Sequence, residues 1–361
     1  MDFGLSEEQR LLAQTLGRYL EVSISPARVR EIAASDEGHD AVTWRGAAEL
    51  GMAGILVPEE YGGIGLGMLD AVVAAEAFGY HCAPVPFLSA SMASVALAHG
   101  GSEEQKRVWL PRIARGDAGL GVAVGGHVSR REGAGIRARR RRLHGKALFA
   151  IDSTAAAGFL VATDDARVAL VSRDAPGLSI EPLHTIDATR RFSELQLESV
   201  PVDGWLEGHE GLVDLLIDAG RVVLAADMLG ASQRAFDLAV AYAGERKQFD
   251  RVIGSFQAVK HLCAEMAAEL EPARSLLWYA AHAFDAVPEE ASLVAAHAKA
   301  HLSEVGRFVV RTATEVHGGI GFTEECDAQL FFKRVGVARS LLGTPEQVRE
   351  RAGVIQGWVA A

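Results

Sequence analysis

From Gly211 to near the end, apolar residues recur three and four apart, and this constrains the fold more than any other feature. Leu212, Leu215, Leu216, Ala219, Val222, Val223, Ala226 and Leu229 form one stripe, wide enough to bury against other helices. Long runs with the same period fill residues 255–284 and 289–316. Three long helices with shorter ones after them predict a helical bundle over residues 207–361.

The period differs upstream. Residues 1–117 read as helices joined by Gly/Pro loops. Ser6 and Gln9 match a capping box ahead of Leu11, Leu12, Leu16 and Leu20. Two more periodic runs lie near 68–80 and 86–99, and Ser102 opens a short helix that ends by Gly116. Between 118 and 206 the apolar segments are short and strand-like, at 119–124, 147–151, 158–162, 167–171 and 192–197. The expected class is α+β: an N-terminal helical domain (1–117), a middle antiparallel β domain (118–206) and a C-terminal helical bundle (207–361).

No apolar run reaches the length of a membrane span, and the opening residues lack a signal peptide's basic start and apolar middle, so a cytoplasmic protein is expected. A net charge of -11 disfavours nucleic acid as a partner. Against that charge stands one basic patch, Arg137, Arg139, Arg140, Arg141 and Arg142, which reads as a solvated strand or loop, an anion site or a face for an acidic partner subunit. Cys82, Cys263 and Cys326 are too widely spaced for a metal knuckle or redox pair, and the twelve histidines form no recognisable ligand cluster, so no metal is expected.

The most informative polar stretch runs from Glu245 to His261, between two of the long periodic runs. Arg246 offers a planar fork suited to phosphate or carboxylate, and Phe249 and Gln257 suit the side and edge of a flat heterocycle; a charged interhelical turn is the plainer reading. Downstream, Gly318 and Gly319 either let a backbone approach a ligand closely or simply cap a helix.

Arg246-x-x-Phe249 followed by Gln257 resembles a signature of the acyl-CoA dehydrogenase family. So does residues 44–66, with its Pro58-Glu59-Glu60-Tyr61-Gly62-Gly63, and so does Thr314 to Glu325 with its His317-Gly318-Gly319, where Glu315 replaces the usual Gln. The order of the three domains agrees, so the resemblance covers nearly the whole chain. It implies FAD as cofactor, an acyl-CoA thioester as substrate, and a homo- or hetero-oligomer, a tetramer, of related subunits. In that family the arginine loop reaches the flavin pyrophosphate of a neighbouring subunit. The resemblance thus assigns cofactor contacts to Arg246, Gln248, Phe249, Gln257, Glu315, Gly318, Gly319 and Thr344, and substrate contacts to Asp218, Arg221 and Gly343. For Asp218 and Arg221 a helix-surface i,i+3 ion pair remains the alternative.

The family's reaction needs a carboxylate to remove the α-proton of the thioester while the β-hydrogen leaves as hydride to the flavin. Most members place that Glu immediately before Gly-Thr, and some place it beside the arginine corresponding to Arg221. Here the two positions hold Leu342 and Gly220, so the catalytic residue is left unassigned. The ring-contacting loop and Trp-x-Thr of the family are also replaced, by residues 125–130 and by Phe149-Ala150-Ile151. A chain that keeps the interface-crossing residues and loses its own base resembles one subunit of the heteromeric bacterial members, including those of steroid side-chain degradation. The alternatives are a self-sufficient homotetramer with a non-standard base, Glu315 or Asp227 being nearest, and a scaffold that has lost flavin.

Overall fold

The computed structural model describes residues 4–129 and 133–359. The first three residues, and Arg130 of the segment set against the family's ring-contacting loop, lie outside them. Six helices come first: α1 (Glu7–Ser23), α2 (Pro26–Ala34), α3 (Ala41–Glu49), α4 (Met68–Tyr80), α5 (Phe87–Gly100) and α6 (Glu103–Ala114). Both α1 and α6 begin in a capping box, at Ser6 with Gln9 and at Ser102 with Gln105, each pairing two otherwise orphaned helix-end donors.

The middle of the chain is one sheet of β1 (Gly119–Ala123), β2 (Gly135–Arg139), β3 (Arg142–Ile151), β4 (Ala156–Ala162), β5 (Val168–Ser172), β6 (Leu178–Leu183), β7 (Phe192–Pro201) and β8 (Gly204–Leu206), with a one-turn helix α7 (Gly125–Val128) after β1. Strand order is β6-β7-β3-β1-β4-β5-β8, with β2 alongside β3. The sheet is antiparallel throughout except between β1 and β4, which run parallel. The exception arises because β1 inserts between β3 and β4: these are consecutive and run in opposite directions, so a strand between them must be parallel to one. Periodicity within a strand carries no trace of that insertion. The arginine run forms a hairpin in which Arg139 pairs with Arg142 across Arg140 and Arg141, both exposed and left-handed.

The C-terminal bundle consists of α8 (Leu212–Glu245), α9 (Gln257–Ala286), α10 (Pro288–His317), α11 (Ala328–Ser340) and α12 (Pro345–Ile355), with a two-strand ribbon β9 (Lys247–Gln248) and β10 (Arg251–Val252) between α8 and α9. From Leu212 to Ser232 almost every residue of α8 is buried, because α4, α5, α9, α10 and α11 pack around it. The approach of α4 is close enough that a Cβ at Gly230 would lie 1.9 Å from the Glu76 carbonyl oxygen. A buried charge network adds a second tie: Asp227 of α8 accepts from Arg334 of α11 at 3.0 and 2.6 Å and from Arg190 at 3.1 Å. No helix among the described residues is long and apolar enough to cross a membrane.

Candidate functional site

Where β1 ends, the sheet faces α11 across an apolar cavity of about 250 Å³. Its sheet wall is made by Val124, Gly125, Val128, Leu148 and Phe149, and its helical wall by Gly336, Val337, Ser340, Leu341 and Leu342. A bulge in β3 builds the first wall. Ala147 and Ala150 pair with Leu195 and Ser193 of β7, so three residues of β3 span two of β7, and Leu148 and Phe149 are turned out of the ladder. Phe149 adopts a φ of 56° there.

The helical wall ends in the turn from Leu341 to Thr344. Leu342 is buried, with φ of 57°, and Gly343 follows at 108°. A Cβ at Gly220 would lie 2.6 Å from the Leu342 Cδ1 and 2.8 Å from the Met92 Sδ. The two positions at which the family carries its base therefore touch, and leucine and methionine fill the space between them. Neither proposed substitute reaches this place. Glu315 is exposed near the C-terminal end of α10, and Asp227 is locked between two guanidiniums, away from the cavity. Burial alone would raise the pKa of Asp227, but the charges of Arg334 and Arg190 outweigh it and hold the carboxylate below its usual range.

Behind the turn lie two cations. Arg221 donates from Nε to the Leu342 carbonyl at 3.1 Å and from Nη1 to Asp218 at 3.0 Å. Asp218 is itself buried and accepts from the Ser292 hydroxyl; burial pushes its pKa up, against the pull of Arg221 and Ser292. The i,i+3 pair is thus an interior one rather than a surface one, because α10 covers this face of α8. Neither residue, nor Gly343 or Thr344, lines the cavity. Thr344 caps α12, accepting from the Gln347 amide at 3.4 Å.

The second cation, Lys299, was not singled out in the sequence. Its Nζ is fully buried and donates to three neutral oxygens: Ser303 Oγ at 3.0 Å, the Arg339 carbonyl at 3.0 Å and the Gly343 carbonyl at 3.1 Å. A signal existed, since Lys299 shares an α10 face with Ala295, Ala296, Leu302 and Ser303, all buried. Desolvation, reinforced by Arg221 and Arg339, lowers its pKa to about 7 from 10.5. Between those values the unfolded chain binds the proton that the folded chain has lost, so this group makes stability rise with pH. Relative to Lys299→Met, the wild type should gain stability from pH 7 to 9 by up to about 1.4 kcal/mol per pH unit, measured by urea unfolding at each pH. A difference that is flat over this window would show that the amine does not titrate there.

Arg246, Gln248, Phe249 and Gln257 lie elsewhere. The polar insert is not a bare loop: β9 and β10 pair, with Phe249 and Asp250 in the two-residue turn at φ of 52° and 62°. Left-handed backbone is uncommon for phenylalanine, and this one is 86% exposed at the tip. Arg246, also exposed, forms no ion pair among the described residues. Tyr242 stacks on His317 at 4.8 Å, which brings the glycine turn to the same end of the bundle. Gly318 is the α10 C-cap, and a Cβ at Gly318 or Gly319 would meet nothing within 4 Å, so both the capping role and open space for a ligand are present. From Arg221 to Arg246 is 25 residues of α8, about 37 Å along the axis. The ribbon and the cavity of one chain therefore cannot act on one small group together.

The cavity is apolar, as the planar ring of a flavin requires, but none of its described lining residues is basic, so these leave a diphosphate unpaired. The ribbon end of the bundle offers the converse, an exposed guanidinium with no ion pair among the described residues, an exposed aromatic ring and open backbone. The residues fit the cofactor in two separate halves.

A family model described as acyl-CoA dehydrogenase, N-terminal domain, matches residues 6–117, and one described as acyl-CoA dehydrogenase, C-terminal domain, matches 212–353. The acyl-CoA dehydrogenase IpdE2 of Mycolicibacterium smegmatis is 33% identical over 347 residues, covering 96% of this chain and 98% of the relative. Among solved structures, the ChsE4-ChsE5 complex from Mycobacterium tuberculosis superposes with a TM-score of 0.91 at 28% identity over 100% of both chains. The Tcur3481-Tcur3483 steroid ACAD superposes with a TM-score of 0.89 at 30% identity, covering 97% of this chain and 98% of that one.

Proposed function

Because this chain belongs to the acyl-CoA dehydrogenase family, we propose that it is one subunit of a heteromeric, FAD-dependent enzyme acting on a CoA thioester, and that its Arg246 ribbon completes the flavin site of a base-carrying partner. One observation carries this reading. Phe249 is held in a strained turn and aimed into solvent beside Arg246, which has no ion pair among the described residues, about 37 Å along α8 from Arg221 at the turn that lacks a base. Relatives solved as two-component complexes support a second, related chain as partner, and one of them, a steroid ACAD, supports an acyl group from lipid or steroid side chains.

In such an assembly Arg246 pairs with the diphosphate of the partner's cofactor, Phe249, Gln248 and Gln257 flank it, and the backbone of Gly318 and Gly319 with Glu315 lies along its nucleotide end. Bound FAD supplies the hydride acceptor. This chain supplies binding and exclusion of water, and no proton acceptor. Asp218, Arg221 and Gly343 act behind the Leu342 turn, holding its shape.

Arg246→Ala tests the reading. A charge-assisted hydrogen bond contributes roughly 1.5–3 kcal/mol, so the variant should lower flavin retention by about 10–100-fold in the assembled complex while still folding. Flavin per complex after gel filtration is the readout, compared at matched assembly. Equal flavin in both would reduce the ribbon to an interhelical turn.

A further inference from the structure

The arginine patch is absorbed by none of this, and a second charge cluster shares its surface. In the β2–β3 hairpin Arg139 lies opposite Arg142, and on the far side of β7 Glu194 lies opposite Glu181 of β6. Ile136, Leu143, Leu195 and Leu197 of these strands pack into one apolar core, so by alternation the charged side chains share the outer face. Like charges directly opposite one another destabilise a sheet, and this face carries one such pair of each sign. The charges between them are matched: Lys146 pairs with Glu194 at 2.6 Å, Arg137 with Asp164 at 3.7 Å, and His144 lies opposite Glu198. The ends are not. Arg139, Arg140 and Arg141 have no ion pair among the described residues, nor has Glu181, and Arg142 donates to the Ser199 carbonyl. The hairpin turn adds backbone strain, with Arg140 and Arg141 at φ of 48° and 62°, where glycine or asparagine is favoured.

From Pro201, opposite Arg142, to Glu194, opposite Glu181, β7 runs roughly 20 Å. A surface positive at one end and negative at the other is complementary to itself. A two-fold axis in the plane of the face, midway between the ends, sets the arginines of each copy on the glutamates of the other, and every contact in such an interface is made twice. We propose that this outer face joins two copies of this chain, with Arg139 and Arg142 of one against Glu181 and Glu194 of the other. A small anion or an acidic polymer satisfies the arginine end alone and leaves Glu181 facing Glu194, whereas a second copy relieves both pairs. Four strands about 4.8 Å apart make a narrow face, so the contact falls at the small end of specific interfaces and is weak and salt-sensitive. The sheet forms it, not the bundle that carries the Arg246 ribbon, and it does not rest on the flavin reading.

The test is sedimentation velocity of the full-length chain over a range of concentrations, at about 50 and about 500 mM salt, where screening lengths are roughly 14 and 4 Å. Wild type should double in mass as concentration rises. Two chains of net charge -11 repel, so salt strengthens any association not built on opposite charges, whereas this one should weaken by about tenfold. Arg139→Glu and Glu181→Arg, both at exposed positions, each turn a like pair into an opposite one within the chain. Each should therefore keep or raise the melting temperature while weakening association by about tenfold or more, since the reversed charge enters the interface twice. Mixing the two variants should restore wild-type association, because each then meets the charge it lacks. Association that strengthens with salt, that survives both reversals, or that is lost in both and not regained on mixing overturns the proposal, and so does a wild type that never doubles in mass. None of these outcomes touches the Arg246→Ala comparison, which decides the flavin role separately.

Discussion

Asp227→Ala should destabilise the chain by about 3–5 kcal/mol, because it leaves Arg190 and Arg334 buried with no counter-charge. Arg334 is 2% exposed and also donates to Thr189 at 2.9 Å, so it cannot turn to water without opening the contact between α11 and the segment before β7. The carboxylate's pKa is depressed, so its contribution is complete at neutral pH and fades as pH falls below the ordinary carboxylate range. Urea unfolding at pH 7 and at about pH 2.5 should therefore show a smaller gap between wild type and variant at the lower pH. A variant that folds as well as wild type but loses turnover would instead restore Asp227 as a base.

Much of this architecture is legible in the sequence because it is local. The α8 stripe, the capping boxes at Ser6 and Ser102 and the strand-like segments each report on a few neighbouring residues, and each element forms where its pattern lies. What the pattern misses is long-range. The β1 strand enters between β3 and β4, and the weakly apolar β2, β6 and β8 carry no period strong enough to announce them. The Asp218–Arg221 spacing is the same for a surface pair and for the interior one that α10 covers. Lys299, Arg190 and Arg334 read as ordinary cations until three elements converge on them. The site splits the same way: the Arg246, Phe249 and Gln257 motif is visible as letters, while the ribbon that strains Phe249 outward, and the contact of Gly220 with Leu342, exist only in the folded chain.

That contact governs the chemistry. A positioned general base is worth about 10²–10⁴ in rate, and an aliphatic side chain provides none of it. At the helical wall of the cavity Leu342 occupies the space beside Gly220, Met92 packs there from α5, and the two cations behind the turn, Arg221 and Lys299, donate to backbone carbonyls. An isolated chain supplied with FAD is therefore expected to reduce it with acyl-CoA about 10²–10⁴-fold more slowly than an assembly containing a related chain with Glu before its Gly-Thr.

The most direct measurement is anaerobic flavin reduction by stopped flow, with this chain alone, the partner alone and the two together, on one acyl-CoA panel. The account predicts negligible reduction by this chain alone and fast reduction by the pair. Fast reduction by this chain alone, abolished by Glu315→Gln, would contradict it and establish a self-sufficient enzyme.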